Sequence, residues 1–258
     1  MDLDAYLQRI RYDGPLTVDA TTLAALQRAH LLAVPFENLD IGWGAPITID
    51  LARHYAKIVE RRRGGFCYEQ NHLFAWALAQ IGFKVGPLGA GVWAVRDGVE
   101  GFGDPASHLL TRVDLDEPWI ADVGFGENFR APLRLLDGLV QEQTPNAYRV
   151  DRTVVAGEET WTTASREPDG KWKPGYRFAN VVRPMSHFER MCRFHQTSPQ
   201  SPFTQKRVCS LATADGRITL SGDEWIVTGH DGSRVVTPIA DEVEAVRLLK
   251  ERFGIVRA

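Results

Sequence analysis

The sequence predicts an α+β fold with its helices gathered at the N-terminus, on three observations. Up to Phe83, apolar residues recur at intervals of three and four, the period of a helix with one buried face. From Lys84 the chain switches to short runs rich in Val, Gly, Leu and Thr, separated by Asp-Gly and Pro turns, as in antiparallel strands. A last amphipathic stretch from Asp241 returns to helical spacing and ends near Phe253-Gly254.

Leu3, Tyr6, Leu7 and Ile10 share one face of a first helix. A second covers 17–30, with Leu23, Leu26 and His30 on one side, and Pro35 ends it. Glu37 and Asn38 then lie among apolar neighbours, where polar groups act as hydrogen-bonded supports. Asp50 caps a third helix that runs to Arg61 and into the basic run Arg61-Arg62-Arg63. Basic residues at a helix C-terminus are dipole partners or solvated, so the run receives no catalytic role.

The next stretch is Arg63-Gly64-Gly65-Phe66-Cys67-Tyr68-Glu69-Gln70-Asn71. Two glycines break the chain, strong helix formers follow, and Gly82 is a natural stop. Cys67 therefore sits at the first turn of a helix, where free N–H groups and the positive dipole end favour a thiolate. The helix is apolar almost all round and should be buried. On this segment alone two readings stand: a nucleophile, or a core thiol behaving as a small hydrophobe.

Residues 85–95 read as a strand, 97–105 as a Gly-rich loop, and 107–115 as a strand that turns at Asp116-Glu117-Pro118 into 119–126. Further strand-like pieces lie at 148–155, 160–163 and 176–182, together a small sheet or barrel. The chain turns irregular over 184–204, around Pro199 and Pro202. From Lys206 short strands recur around turns at Asp215-Gly216 and Asp231-Gly232. The final helix carries Val243, Val246, Leu248 and Leu249 for packing.

Centring the hairpin on Asp116 opposes residues 110 and 122 and makes His108 the diagonal neighbour of Asp122 on one face. A one-residue slip would separate them. Alone, His108 reads as a surface or core histidine and Asp122 as a turn or structural aspartate. Together with Cys67 they supply three roles: a thiol, an imidazole to take its proton, and a carboxylate to orient the imidazole.

Composition narrows the partners. A net charge of −3 gives no reason to expect nucleic acid or an acidic membrane. Three widely spaced cysteines make no disulfide framework, which points to a reducing compartment. No apolar run reaches the length of a membrane span, and the acidic N-terminus lacks the features of a signal peptide, so a cytoplasmic location is expected. The His and Cys spacings do not form a zinc site, so no metal is expected, and Cys192 and Cys209 read as structural thiols.

The nine-residue cysteine segment resembles the cysteine motif of the arylamine N-acetyltransferases, with Glu69-Gln70 similar to the bacterial form. Pro35-Phe36-Glu37-Asn38-Leu39 resembles the motif that precedes it in that family. Ser107-His108-Leu109 and Asp122-Val123-Gly124-Phe125-Gly126 resemble its other two catalytic segments, in the same order. The similarity continues through Ser198-Pro199, Ser201-Pro202-Phe203 and Phe253-Gly254-Ile255, so it spans essentially the whole chain.

The resemblance implies a Cys67–His108–Asp122 triad in an architecture related to papain-like and transglutaminase folds. It implies a helical N-terminal domain over 1–83 carrying the cysteine, a β-barrel over 84–190 carrying His108 and Asp122, and a C-terminal α/β lid over 191–258. It implies acetyl-CoA as acyl donor and an arylamine or hydrazine as acceptor, joined through an acetyl-cysteine. Phe36, Phe125 and Phe203 would line the acceptor cleft; their other reading is ordinary core. Gly124, Phe125 and Gly126 would let the backbone approach the donor's phosphates or pantetheine. His195 and His230 are ambiguous from the sequence, and His230, beside a Gly-containing turn, is placed as a CoA contact. Three rivals share these residues: an amide synthase acting on a carrier-bound acyl chain, a thiol hydrolase, and a binding protein that keeps the fold without catalysis.

Overall fold

A computed structural model describes residues 1–96 and 98–257. Helix α1 (Leu3–Ile10) starts at Asp2, whose carboxylate accepts the Asp4 N–H at 2.9 Å. Helix α2 (Ala20–Ala33) lies three residues later at each end than the expected 17–30, because Asp19 caps it through the Thr22 N–H at 2.8 Å. Val34 is extended, as the residue before Pro35 should be. A two-residue strand β1 (Phe36–Glu37) and a short helix α3 (Leu39–Trp43) follow, neither expected from the sequence. Helix α4 (Leu51–Tyr55), capped by Asp50, widens into one π turn over Ala56–Glu60 in place of a single α-helix to Arg61. Helix α5 (Cys67–Ile81) begins at the cysteine and stops at Gly82, which takes the left-handed conformation (φ 112°) that favours glycine.

The strands follow: β2 (Lys84–Arg96), β3 (Val99–Phe102), β4 (His108–Asp114), β5 (Pro118–Ala121), β6 (Leu133–Arg134), β7 (Gln141–Glu142), β8 (Ala147–Val155), β9 (Glu158–Arg166) and β10 (Trp172–Phe178). Of the predicted 97–105 loop, Asp97 lies outside the described residues and 99–102 pair with β2 as a strand. The piece expected over 176–182 stops at Phe178 as β10; Val182 leaves the sheet to pack on Gly86.

The order β6-β5-β4-β2-β10-β9-β8-β7 forms one curled sheet in which β6 comes alongside β8. Its interior holds Leu88, Leu110, Ile120, Phe129, Tyr176 and Phe178. Helix α5 lies across the outside of β4 and β2. There its Leu73, Phe74, Ala77 and Leu78 share a core with α1, α2 and Val113, Ala121 and Val123.

The stretch 184–204 is mostly helical, which corrects the irregular reading. After a 3-10 turn at Met185–Phe188 come α6 (Glu189–Thr197) and α7 (Pro202–Gln205). Phe188, Met191, Cys192 and His195 are buried at helical spacing. Strands β11 (Val208–Thr213), β12 (Gly216–Ser221), β13 (Glu224–Gly229) and β14 (Arg234–Pro238) form a second sheet, with turns where the Asp-Gly pairs placed them. β1 joins that sheet by pairing Phe36 with Ser210 and Glu37 with Cys209. Helix α8 (Glu242–Phe253) covers it, capped by Asp241. Its buried face is Ala245, Leu248, Leu249 and Phe253. Val243 and Val246 point to solvent instead, being 78% and 47% exposed, because on the 3.6-residue period Val243 falls opposite the buried face and Val246 at its margin. Among the described residues no helix is long and apolar enough to cross a membrane.

Candidate active site

The β4–β5 pairing opposes Thr111 to Ala121, which is the register centred on Asp116. His108 opens β4, and Asp122 lies one residue past β5. Their side chains meet at 2.8 Å between His108 Nε2 and Asp122 Oδ2, both buried. Cys67, the first residue of α5 and also buried, completes the group.

Burial disfavours a charged His108, but the Asp122 carboxylate overrides it and the Cys67 thiol adds to the effect, raising the imidazole to about 10. The same partners work in reverse on Asp122. Burial pushes its carboxyl up, while His108, the Asn71 amide and the Gly124 N–H together hold it below the usual carboxylate range.

Asn71 is the clamp that joins helix to hairpin, a role not assigned from the sequence although the residue lies in the cysteine motif. One turn after Cys67, its Nδ2 donates to Asp122 Oδ1 at 2.9 Å and to the Leu109 carbonyl at 2.6 Å. Its Oδ1 accepts the Val123 N–H at 2.9 Å. Gly124 closes the turn with an N–H bond of 2.9 Å to Asp122 Oδ1. A Cβ on Gly124 would lie 2.6 Å from the Cys67 Cα and 2.8 Å from the Asn71 amide nitrogen. That residue is glycine because the hairpin end presses directly on the helix start. Tyr176, also unassigned from sequence, lies in the barrel interior with its ring centroid 5.2 Å from His108. Burial, then the Asp122 charge, raises its phenol well above the usual value, so it stays neutral.

The predicted phenylalanines gather around these groups. Phe125 meets His108 edge-on at 5.2 Å and Tyr176 at 5.4 Å. Phe203 lies 6.0 Å from Phe36 and 6.2 Å from Phe66. Gly126 takes the left-handed conformation (φ 89°) beside the Phe36 ring. His230 lies farther along, in the β13–β14 turn, lining a small cleft with Asn128, Arg130, Tyr148 and Arg217. His195 supports the chain next to His108: its Nε2 meets the Ser107 carbonyl at 3.0 Å. Cys192 and Cys209 are buried; burial raises the first thiol to about 12 and the second well above its usual value. Among the described residues no group of three or more His, Cys, Asp or Glu is arranged to hold a metal ion.

Beneath the helix start lies a buried charge cluster, and here the expectation for the basic run needs correction. Arg61 and Arg62 are exposed, but Arg63 is buried. Arg62 adopts a left-handed conformation (φ 54°), and Arg63 lies inside, paired with Glu37 at 2.7 Å and Asp40 at 2.9 Å. Lys57, carried by the π turn, meets Asp40 and Glu69 at 2.8 Å each.

Comparison with known proteins agrees with this geometry. A family model described as N-acetyltransferase matches residues 19–257. The chain belongs to the arylamine N-acetyltransferase family. It is 36% identical over 282 residues to a pineal gland arylamine N-acetyltransferase isozyme of Gallus gallus, covering 99% of this chain and 94% of that one. It is 34% identical over 260 residues to the Mycolicibacterium smegmatis member, covering 99% and 92%. The solved structure of the M. tuberculosis arylamine N-acetyltransferase superposes with a TM-score of 0.90 at 32% identity, covering 98% of this chain and 94% of that one. The Mycobacterium marinum enzyme, solved in complex with CoA, does so with a TM-score of 0.89 at 31% identity, covering 98% and 93%. The helical start, curled sheet and C-terminal α/β region are thus the fold of this family.

Proposed function

We propose that this protein transfers an acetyl group from acetyl-CoA to arylamines and hydrazines through an acetyl-Cys67 intermediate. The observation that carries the reading is the buried His108–Asp122 pair lying against a cysteine at a helix N-terminus. The names of its relatives and the CoA complex of the M. marinum enzyme support the donor and acceptor classes.

In this mechanism His108 holds the thiol proton as imidazolium and Cys67 attacks the thioester carbonyl. Asp122 engages Nε2, so Nδ1 is the ring nitrogen left for the thiol. The developing oxyanion is met by N–H groups that the start of α5 cannot satisfy internally, that of Cys67 among them. CoA departs, taking the proton from His108. The amine then attacks the acetyl-cysteine while His108 accepts its proton, and the thiolate is released as the amide forms. Tyr176 remains a neutral phenol beside the pair and takes no part in proton transfer.

Phe36, Phe125 and Phe203 line the acceptor cleft in this reading, which the contact of Phe125 with the His108 ring and of Phe203 with Phe36 and with Phe66, the residue before Cys67, supports. Gly124, Phe125, Gly126 and His230 lie on the donor side. The chain divides into 1–83, 84–190 and 191–258, the last closing over the cleft, and the protein works in the cytoplasm. Initial rates over a grid of acetyl-CoA and arylamine concentrations test the reading. Parallel double-reciprocal lines, together with loss of transfer in Cys67→Ser, are expected. Intersecting lines, or a serine variant that still transfers, would contradict it.

A further inference from the structure

The catalytic account leaves unused the charge cluster under Cys67, and Glu69 is its member closest to the nucleophile in sequence. Glu69 is the third residue of α5, and its Oε2 reaches back to accept the Phe66 N–H at 3.1 Å. Phe66 immediately precedes the cysteine and cannot itself cap the helix with its side chain. The same carboxylate is gripped by Lys57 Nζ, at 2.8 Å to Oε1 and 3.1 Å to Oε2. Lys57 is 4% exposed and Glu69 2%, so the pair is shielded from solvent. A Cβ on Gly65 would meet the Glu69 side chain at 2.8 Å, so the chain before Cys67 is packed directly on this carboxylate. The π turn is what delivers Lys57: one wide turn reorients the helix after Tyr55, and the Lys57 carbonyl in addition accepts the Arg63 N–H at 3.0 Å.

We propose that Glu69, gripped by Lys57, is a positioning residue for the acetyl transfer: the pair fixes the first turn of α5 and sets the electrostatic field at the Cys67 thiol. The inference rests on Cys67 being the nucleophile. Three carboxylates, Glu37 of β1, Asp40 of α3 and Glu69, face two cations, Lys57 and Arg63. Fully ionised, the cluster carries one net negative charge, which opposes a thiolate nearby. Two other titratable groups face it, Cys209 of β11 and Cys192 of α6, and both are held as neutral thiols by burial. The Arg9 guanidinium of α1 reaches the Arg63 carbonyl at 3.0 Å from the other side. Burial raises the Glu69 carboxyl, Lys57 pulls it back, Glu37 adds to the rise, and it comes to about 7. Lys57 and Glu69 carry opposite charges beside the start of α5, so they act on the thiol with opposite sign.

The test is iodoacetamide alkylation of the full-length protein against pH, mapped to Cys67 by peptide mass spectrometry, in the parent, Glu69→Gln and Lys57→Met. Glutamine keeps an oxygen for the Phe66 N–H and deletes the charge. A unit charge some 10 Å away, in the effective dielectric of a protein site, moves a neighbouring titration by roughly one pH unit. The alkylation midpoint is expected to fall in Glu69→Gln and to rise in Lys57→Met, by about half a pH unit or more each. Should Lys57→Met not fold alone, Lys57→Met/Glu69→Gln carries the comparison, with a midpoint above that of Glu69→Gln. Midpoints that stay at the parent value, or move in the same direction in both variants, overturn the proposal. The readout needs no turnover, so it is independent of whether Cys67 carries the acetyl group, which mass analysis after mixing with acetyl-CoA decides separately.

Discussion

Replacing Gly124 by alanine adds one methyl group where the hairpin end meets the helix start. Its Cβ would lie 2.6 Å from the Cys67 Cα, against 3.4 Å or more for ordinary contact. The other close atoms are the Asn71 amide nitrogen at 2.8 Å and the Cys67 carbonyl oxygen at 3.1 Å. Two of these three are backbone, so no flexible side chain can swing aside. The hairpin and the helix must separate by close to 1 Å, and Asp122 moves with Gly124 because their 2.9 Å bond ties them. Overpacking of this kind costs about 1–3 kcal/mol of stability. A displacement of ~1 Å between reacting groups costs on the order of a hundredfold in rate. Gly124→Ala should therefore fold, melt several degrees lower, and form the acetyl-enzyme about a hundredfold more slowly in a stopped-flow burst with acetyl-CoA. A variant that acylates at the parent rate would show that the Cys67–Asp122 spacing does not control the chemistry.

Two further substitutions probe the electrostatics. Folding raises His108 from about 6.5 to about 10, so its contribution to stability is full below the lower value and is lost as pH rises through the upper one. Asp122→Asn removes the main cause, so its melting temperature should change less between those pH values than the parent's; equal profiles would deny Asp122 that role. Arg63→Gln leaves Glu37 buried with only Lys57, 3.7 Å away, as a cationic neighbour. Breaking a buried pair costs about 3–5 kcal/mol, and an unchanged urea midpoint would mean that the pair contributes nothing to stability.

The sequence carried the local chemistry of this fold well. Asp50 and Asp241 each cap the helix expected to start there, through a backbone N–H, and Gly82 and Gly254 each end one in a left-handed conformation. The Asp116 turn centre was enough to bring His108 to Asp122, because strand period and hairpin register are both local properties. What the sequence hid depends on distant partners. Arg63 looked like a solvated end of a basic run until a π turn and a left-handed Arg62 placed it inside. β1 is two residues long and exists only because β11, some 170 positions later, pairs with it. Asn71 lies within the cysteine motif, yet its three hydrogen bonds all go to the hairpin, which periodicity cannot reveal. Helix α6 was obscured by the prolines that follow it, although Phe188, Met191, Cys192 and His195 already carried its spacing.

The central claim is that Cys67 carries the acetyl group between donor and acceptor. Intact-mass analysis of the protein mixed with acetyl-CoA and no amine tests it most directly, followed by peptide mapping of any adduct. The account predicts a single added acetyl group, on Cys67, that disappears when an arylamine is supplied. No adduct, or one on Cys192 or Cys209, would contradict it.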